Sequence, residues 1–319
     1  LYQNNDVLDG FVCITHAGRQ HNIRLTRRLR PDMDSFAVGP LRIDIVEPMK
    51  KLRFVLDDNE HDISCDFTCH STTVPNESFP EITRVDGRLM AERTTYELAG
   101  SVEGFVGVGN ERIPLTLDRA TFFRNHSWGF MGGRGGPKLY AAPRPTPKRP
   151  AGLRQWVLYN VGSHSGYWHC FDNDKGRRTM QRGNIMYGDR SVPVTDVDHE
   201  LEFFEGGRRL KRGRVTITDA EDIERTLEVE DLGNWVYCQG GGYFGGWNDG
   251  LGQGVYRGDY YVEGEVWDVS HPTTIVRADG TTFEQEHAWA ENFTSVRVGD
   301  EVGMAHYECV RFDGHMTRY

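Results

Sequence analysis

A chain of 319 residues is long enough for two ordinary domains, each able to bury a core of its own. With 38% hydrophobic residues and a mean hydropathy of −0.58 it reads as a soluble globular protein, and no apolar run approaches the roughly 18 residues of a membrane span. The formal net charge of −10 would repel a phosphate backbone, and the basic clusters are short and sit beside acidic turns, which argues against nucleic acid as a partner.

The chain opens on Leu1, with no basic segment followed by an apolar one, so a signal peptide is either absent or already removed, and a bacterial cytoplasmic location is expected. The six cysteines, Cys13, Cys65, Cys69, Cys170, Cys238 and Cys309, show no C-x-x-C pair and read as free thiols in a reducing compartment.

In chain order the dominant period is two. Leu41, Ile43 and Ile45 alternate with Arg42 and Asp44, and Ile63, Cys65, Phe67 and Cys69 with Ser64, Asp66 and Thr68. Cys65 and Cys69 therefore share a strand face about 13 Å apart and cannot pair with each other. Further on, Val215 and Ile217 alternate with Thr216 and Thr218, and Leu227 and Val229 with Glu228 and Glu230. Turn signals such as Val85-Asp86-Gly87, Gly109-Asn110, Asp172 to Gly176 and Val298-Gly299-Asp300 separate these strands. Only Ser191 to Phe204 is read as hiding a helical turn, and the fold class expected is all-β.

Three echoes recur at nearly one offset. Tyr96, Val102-Glu103-Gly104 and Val106 return as Tyr256, Val262-Glu263-Gly264 and Val266; His126-Ser127-Trp128 returns as His287-Ala288-Trp289; and Lys50 to Arg53 before the acidic turn Asp57 to Glu60 returns as Lys211 to Arg214 before Asp219 to Asp222. Their common order argues for an internal duplication. By parity the first copy runs past the Pro-rich stretch Pro137 to Pro150, a long loop, and includes the strand Gln155 to Tyr159. The domains expected are 1–165 and 166–319, each closing as an antiparallel barrel because closure removes sheet edges.

Several residues could carry chemistry. On a strand His126 and Trp128 share a face about 7 Å apart, placing a proton-transferring imidazole beside an indole able to stabilise a developing cation. The odd face of Tyr260 to Asp268 gathers Tyr261, Glu263, Glu265 and Trp267, while Val262 and Val266 take the other. Lining a cavity, that face would raise a carboxyl pKa and make Glu263 or Glu265 a general acid; facing solvent, it would do nothing. The glycine-rich run Gln239 to Gly252, with Trp247 and Asp249, is no phosphate loop and reads as a loop at a barrel mouth. No histidine pair has metal-ligand spacing, so neither metal nor cofactor is expected.

The segment Arg124-Asn125-His126-Ser127-Trp128-Gly129 resembles the D-H-S-W-G signature of the carotenoid 1,2-hydratase and AttH-like group. That group has a double lipocalin-like (calycin-like) barrel and is distantly similar to tocopherol cyclases and fungal Diels–Alderases. Gly246 to Gly250 and Glu263 to Asp268 resemble a companion domain of uncharacterised bacterial proteins. Here Asn125 stands where the signature has Asp, leaving an Asp–His relay without its carboxylate.

The resemblance implies cofactor-free, acid-initiated chemistry (hydration or dehydration, isomerisation or cyclisation) on a small hydrophobic terpenoid-, steroid- or polyene-like substrate held between two barrels. It would make His126 the proton donor or relay, Trp128 the cation-stabilising wall, and Tyr159 and Glu263 polar partners. Trp156, Trp168, Trp247, Asp249, Tyr256, Glu265, His287 and Trp289 would bind substrate. The competing expectation is a non-catalytic carrier of a hydrophobic small molecule, which should have an almost wholly apolar site, whereas an enzyme should gather titratable groups with shifted pKa values. A homodimer is the assembly considered.

Overall fold

The computed structural model describes residues 1–131, 151–205, 209–272, 274–284 and 290–312. The described chain is all-β, with three short 3-10 turns, Gln3–Asn5, Cys238–Gly241 and Tyr243–Gly245, and no α-helix among the described residues. The strands run β1 (Val7–His16), β2 (Arg19–Arg28), β3 (Ala37–Val38), β4 (Leu41–Glu47), β5 (Lys51–Leu56), β6 (Ile63–Ser71), β7 (Asn76–Val85), β8 (Arg88–Val108), β9 (Glu111–Leu115) and β10 (Thr121–Met131). They continue as β11 (Gly152–Asn160), β12 (Ser165–Asn173), β13 (Arg178–Tyr187), β14 (Arg190–Phe203), β15 (Leu210–Asp219), β16 (Glu224–Tyr237), β17 (Tyr260–Asp268), β18 (Thr274–Val276), β19 (Thr282–Glu284), β20 (Ala290–Val298) and β21 (Glu301–Phe312). Ser191 to Phe204, read as room for a helical turn, lies almost wholly in β14. Its Val192, Val194 and Val197 are buried, and the ladder to β15 slips between Val194 and Asp196, which breaks the alternation there.

Three sheets form. Strands β11 to β16, β20 and β21 close into an antiparallel barrel; β3 to β10 make an eight-stranded sheet around the 21-residue β8; and β1, β2, β17, β18 and β19 make a five-stranded sheet. The pairing crosses the halves in two places. Strand β11, placed by sequence parity at the end of the first copy, pairs with β12 and β21 in the closed barrel. Strand β17, which carries the second Val-Glu-Gly, pairs with β2 at the other end of the chain, in register Glu263 to Arg24. The Pro-rich stretch falls in residues 132–150 and lies outside the described residues.

Alternation along β11 sorts its side chains between two cores. Val157 and Tyr159 point into the barrel, with Trp168, Ile185, Val215, Val229 and Tyr307. Trp156 and Leu158 point outward and, with Tyr167 and Met186, pack against Ala99 of β8 and Phe123 of β10. The eight-stranded sheet therefore docks on the outer wall of the barrel. A third core, including Leu8, Ile23, Leu25, Leu41, Leu56 and Ile63, joins the five-stranded sheet to β4, β5 and β6. Burying each such side chain contributes about 1.5–3 kcal/mol, which holds the three sheets together.

The recurring glycine of Val-Glu-Gly has a steric reason in each place. A Cβ on Gly104, at φ +134°, would lie 2.2 Å from the Asp66 carbonyl oxygen on β6, and one on Gly264 would lie 2.6 Å from His61 Nδ1 and 2.7 Å from the Asn22 carbonyl oxygen. Gly104→Ala is expected to cost about 1–3 kcal/mol in urea denaturation, more than an alanine at the open turn glycine Gly109. Equal costs at the two positions would contradict this.

Candidate active site between the sheet and the barrel

One rung of the eight-stranded sheet faces the barrel with polar groups. Asn76 on β7, Glu97 on β8 and Asn125 on β10 are paired side by side. Glu97 has no solvent exposure. Its carboxyl oxygens accept from Asn76 Nδ2 at 3.0 Å, Thr95 Oγ1 at 3.2 Å and Asn125 Nδ2 at 3.2 Å. Burial raises its pKa above the ordinary 4.5; the three donors and the nearby Arg182 charge hold it back without reversing the shift.

Opposite this rung are two rungs of the barrel wall. The first runs Arg182, His169, Trp156, Glu308 across β13, β12, β11 and β21, and the second runs Asn184, Tyr167, Leu158, His306, Phe293 from β13 to β20. Asn184 Nδ2 donates to Asn76 Oδ1 and ties sheet to barrel. Arg154 forms a short ion pair with Glu308 and gives its Nε–H to His169 Nε2 at 3.1 Å. Burial, then the Arg154, Arg182 and Arg93 charges, drive the His169 pKa down to about 2, so its imidazole is neutral. Burial opposes charge on His306 as well, but its close ion pair with Glu291 and the nearby Glu308 raise its pKa, while the same pair lowers that of Glu291. Burial, reinforced by the Glu291 charge and opposed by Arg154, raises the Glu308 pKa. The wall between these groups is aromatic. The Trp156 ring lies 5.1 Å from the His306 ring and 5.7 Å from Tyr167, and Phe293 stacks on His306 at 5.3 Å. Arg154, Arg182, Asn184, Phe293 and His306 are half-buried, so the rim of the seam meets solvent.

Of the residues singled out in the sequence, Trp156 alone stands in this seam. His126 and Trp128 do share a face of β10, 5.8 Å apart between ring centroids, with Tyr96 stacked on His126 at 5.1 Å. That face is the other side of the strand from Asn125 and Glu97. The imidazole is exposed and Trp128 is 48% exposed; partial desolvation, then the Arg124 charge, lower the His126 pKa. Tyr159 and Trp168 lie inside the barrel without exposure, 6.0 Å apart, and burial pushes the Tyr159 phenol up.

Glu263, Glu265, Trp247 and Asp249 form a separate cluster at β17 and the glycine-rich loop, and Tyr256 lies apart against Arg28. The odd face of β17 is covered: Arg24, fully buried, reaches Glu263 Oε1 at 2.7 Å, Glu265 Oε1 at 2.8 Å and the Gly240 carbonyl at 3.1 Å. Glu263 also accepts from the Asn248 N–H and the Tyr261 hydroxyl, both at 3.0 Å. Asp249 holds Arg257, whose guanidinium lies 4.0 Å above the Trp247 ring, and Tyr256 donates to Asp259. His287 and Trp289 lie outside the described residues.

Sequence reasoning passed over Glu97, His169, His306 and Glu308 because each sits between apolar neighbours as a solvent-facing residue would, and over Arg182 and Glu291, which stand in polar surroundings with no pattern of their own. The available signal was the set of aromatics, Trp156 and Phe293, sharing that outward face with charges. Asn125 now has a physical reason. Its amide donates to Glu97, where an Asp would set two carboxylates in one rung. Asn125→Asp is expected to raise the Glu97 pKa further and to destabilise the protein increasingly as rising pH ionises the two carboxyls, measured by urea denaturation against pH. A pH-independent effect would contradict it.

A protein-family model described as a family of unknown function (DUF8625) matches residues 1–317. The chain belongs to that family. No curated protein matches this DUF8625 chain in sequence. Among solved structures it is similar to kievitone hydratase from Nectria haematococca, with 12% identity over 97% of this chain and 85% of that one and a TM-score of 0.45. It is also similar to a putative AttH from Nitrosomonas europaea, with 10% identity over 95% and 86% and a TM-score of 0.48, and to CghA with Sch210972, with 9% identity over 97% and 89% and a TM-score of 0.41. No helix among the described residues of the DUF8625 chain is long and apolar enough to cross a membrane.

Proposed function

We propose that the seam between the eight-stranded sheet and the barrel is the active site of an acid–base enzyme that uses its own side chains to hydrate, dehydrate, isomerise or cyclise a small, largely hydrophobic molecule. The observation that carries the reading is Glu97, a carboxyl with no solvent exposure and a raised pKa, set in one seam with neutral His169, the His306–Glu291 pair and an aromatic wall. Convergent titratable groups with shifted pKa values mark a catalytic site better than a carrier's apolar pocket does. A buried carboxylic acid of raised pKa is the proton donor suited to protonating an alkene or a leaving hydroxyl near neutral pH. Trp156 offers its π-face to the cation that protonation creates. In this reading Arg24, Glu263 and Glu265 clasp the glycine-rich loop, and the interior side chains of the barrel are core, which places the substrate outside the lumen.

The test is a mass-spectrometric turnover screen in deuterated water against terpenoid, steroid and polyene compounds, with Glu97→Gln and His126→Ala run beside the wild type. Deuterium incorporation or a water-sized mass change, lost in Glu97→Gln and kept in His126→Ala, is expected. Loss only in His126→Ala would move the proton donor to the exposed Tyr96–His126–Trp128 shelf, and tight binding of unchanged ligand would make the protein a carrier.

A further inference from the structure

Among the described residues Arg182 is the seam's unmatched cation. Its neighbours are paired: Arg154 with Glu308, and Arg93 with Glu81 at 2.9 Å. The Arg182 Nε–H is buried without an acceptor, and among the described residues no carboxylate forms an ion pair with this guanidinium. Among the described residues its one close polar contact is Nη2 to His169 Nδ1 at 3.0 Å. A neutral imidazole accepts at one ring nitrogen only, so His169 cannot satisfy both Arg154 Nε and Arg182 Nη2, and the Arg182 Nε–H has no acceptor in either tautomer. Glu97, across the seam, feels the Arg182 charge but forms no ion pair with it and is itself pushed toward its neutral acid by burial.

A half-buried guanidinium with an orphaned donor carries the desolvation cost of an unmet hydrogen bond to charge, unless something else supplies the acceptor. Trp156 stands two strands along the same rung, with His169 between them. We infer that the ligand of this seam is an organic anion: an apolar, ring-bearing body seated at the half-buried rim, with a carboxylate, phenolate or enolate oxygen accepting from Arg182. Arg suits this task because its planar fork meets two oxygens, or one oxygen by two donors, in fixed geometry. The inference rests on the proposed function for the location of the site, and adds that the substrate carries an anionic oxygen near the position protonated by Glu97.

The test compares 2-naphthoate with 2-naphthamide, a pair of equal shape and different charge, by ligand-observed NMR titration of the wild type, Arg182→Gln and Glu97→Gln. The wild type is expected to prefer the naphthoate by roughly tenfold or more, the worth of a hydrogen bond to a charged group. Arg182→Gln should abolish the preference and Glu97→Gln should keep it. The Arg182 Nε–H resonance should shift on adding naphthoate and stay fixed on adding the amide. Equal affinity, no binding of either compound, or a preference that survives in Arg182→Gln overturns the inference. The two readings fail separately. Lost discrimination with Glu97-dependent turnover intact would sink only the anion assignment, whereas discrimination without any turnover would leave an organic-anion binding site and sink the enzymatic reading.

Discussion

Glu97→Gln is expected to fold and to lose about 10²–10⁴-fold in turnover, the usual contribution of a positioned general acid. The substitution is nearly isosteric, and the Gln amide oxygen can keep the Thr95 and Asn125 donors that bond Oε1 while the Asn76 bond to Oε2 and the transferable proton are lost. The pH dependence follows from the sign of the shift. Because the folded-state pKa of Glu97 lies above the ordinary 4.5, the acid form contributes stability that is complete below that value and is lost as pH rises through the folded pKa. The wild type should therefore fall in stability relative to Glu97→Gln as pH is raised from the acid side toward neutrality, and the wild-type rate should fall along the same limb. A Glu97→Gln enzyme with undiminished turnover, or a stability difference independent of pH, would contradict the assignment.

Arg24→Met is expected to be the most destabilising single change, at about 3–5 kcal/mol in urea denaturation. The Arg24 side chain is fully buried, that of Glu263 is 4% exposed and that of Glu265 20%. Removing the guanidinium leaves two carboxylates facing each other without a cation and releases the Gly240 carbonyl. Adding Glu263→Gln and Glu265→Gln to Arg24→Met should recover part of the loss, since the penalty comes largely from uncompensated charge. A loss near 1 kcal/mol, as for an exposed ion pair, would mean that this clasp is solvated.

Local alternation made the strands legible. Ile63 to Cys69 lies within β6 with Ile63, Cys65 and Cys69 buried, and the odd face of β17 holds Tyr261, Glu263 and Glu265 together. All six cysteines are free. The pairing partners were not legible, because the contact of β17 with β2 spans most of the chain and leaves no local trace in either segment. The seam was hidden for the same reason. Glu97 in Thr95-Tyr96-Glu97-Leu98 reads as the outward half of an amphipathic strand; it is buried only because Trp156, Tyr167 and Met186, an unusual outward-facing apolar set on the barrel, bring a second wall against that face. Trp156, singled out from the sequence, lies at the seam, but the histidine with the deepest pKa shift downward, His169, owes it to burial and arginines from three other strands. His126, in the recognisable motif, sits on the opposite and more exposed side of its strand.

The central claim is that Glu97 is a buried acid of raised pKa. An infrared titration of the protonated-carboxyl stretch, with the band assigned by its absence in Glu97→Gln, measures it directly. A band that persists as pH rises above 4.5 is the predicted result. A band lost at or below 4.5 would show an ordinary carboxylate and contradict the account.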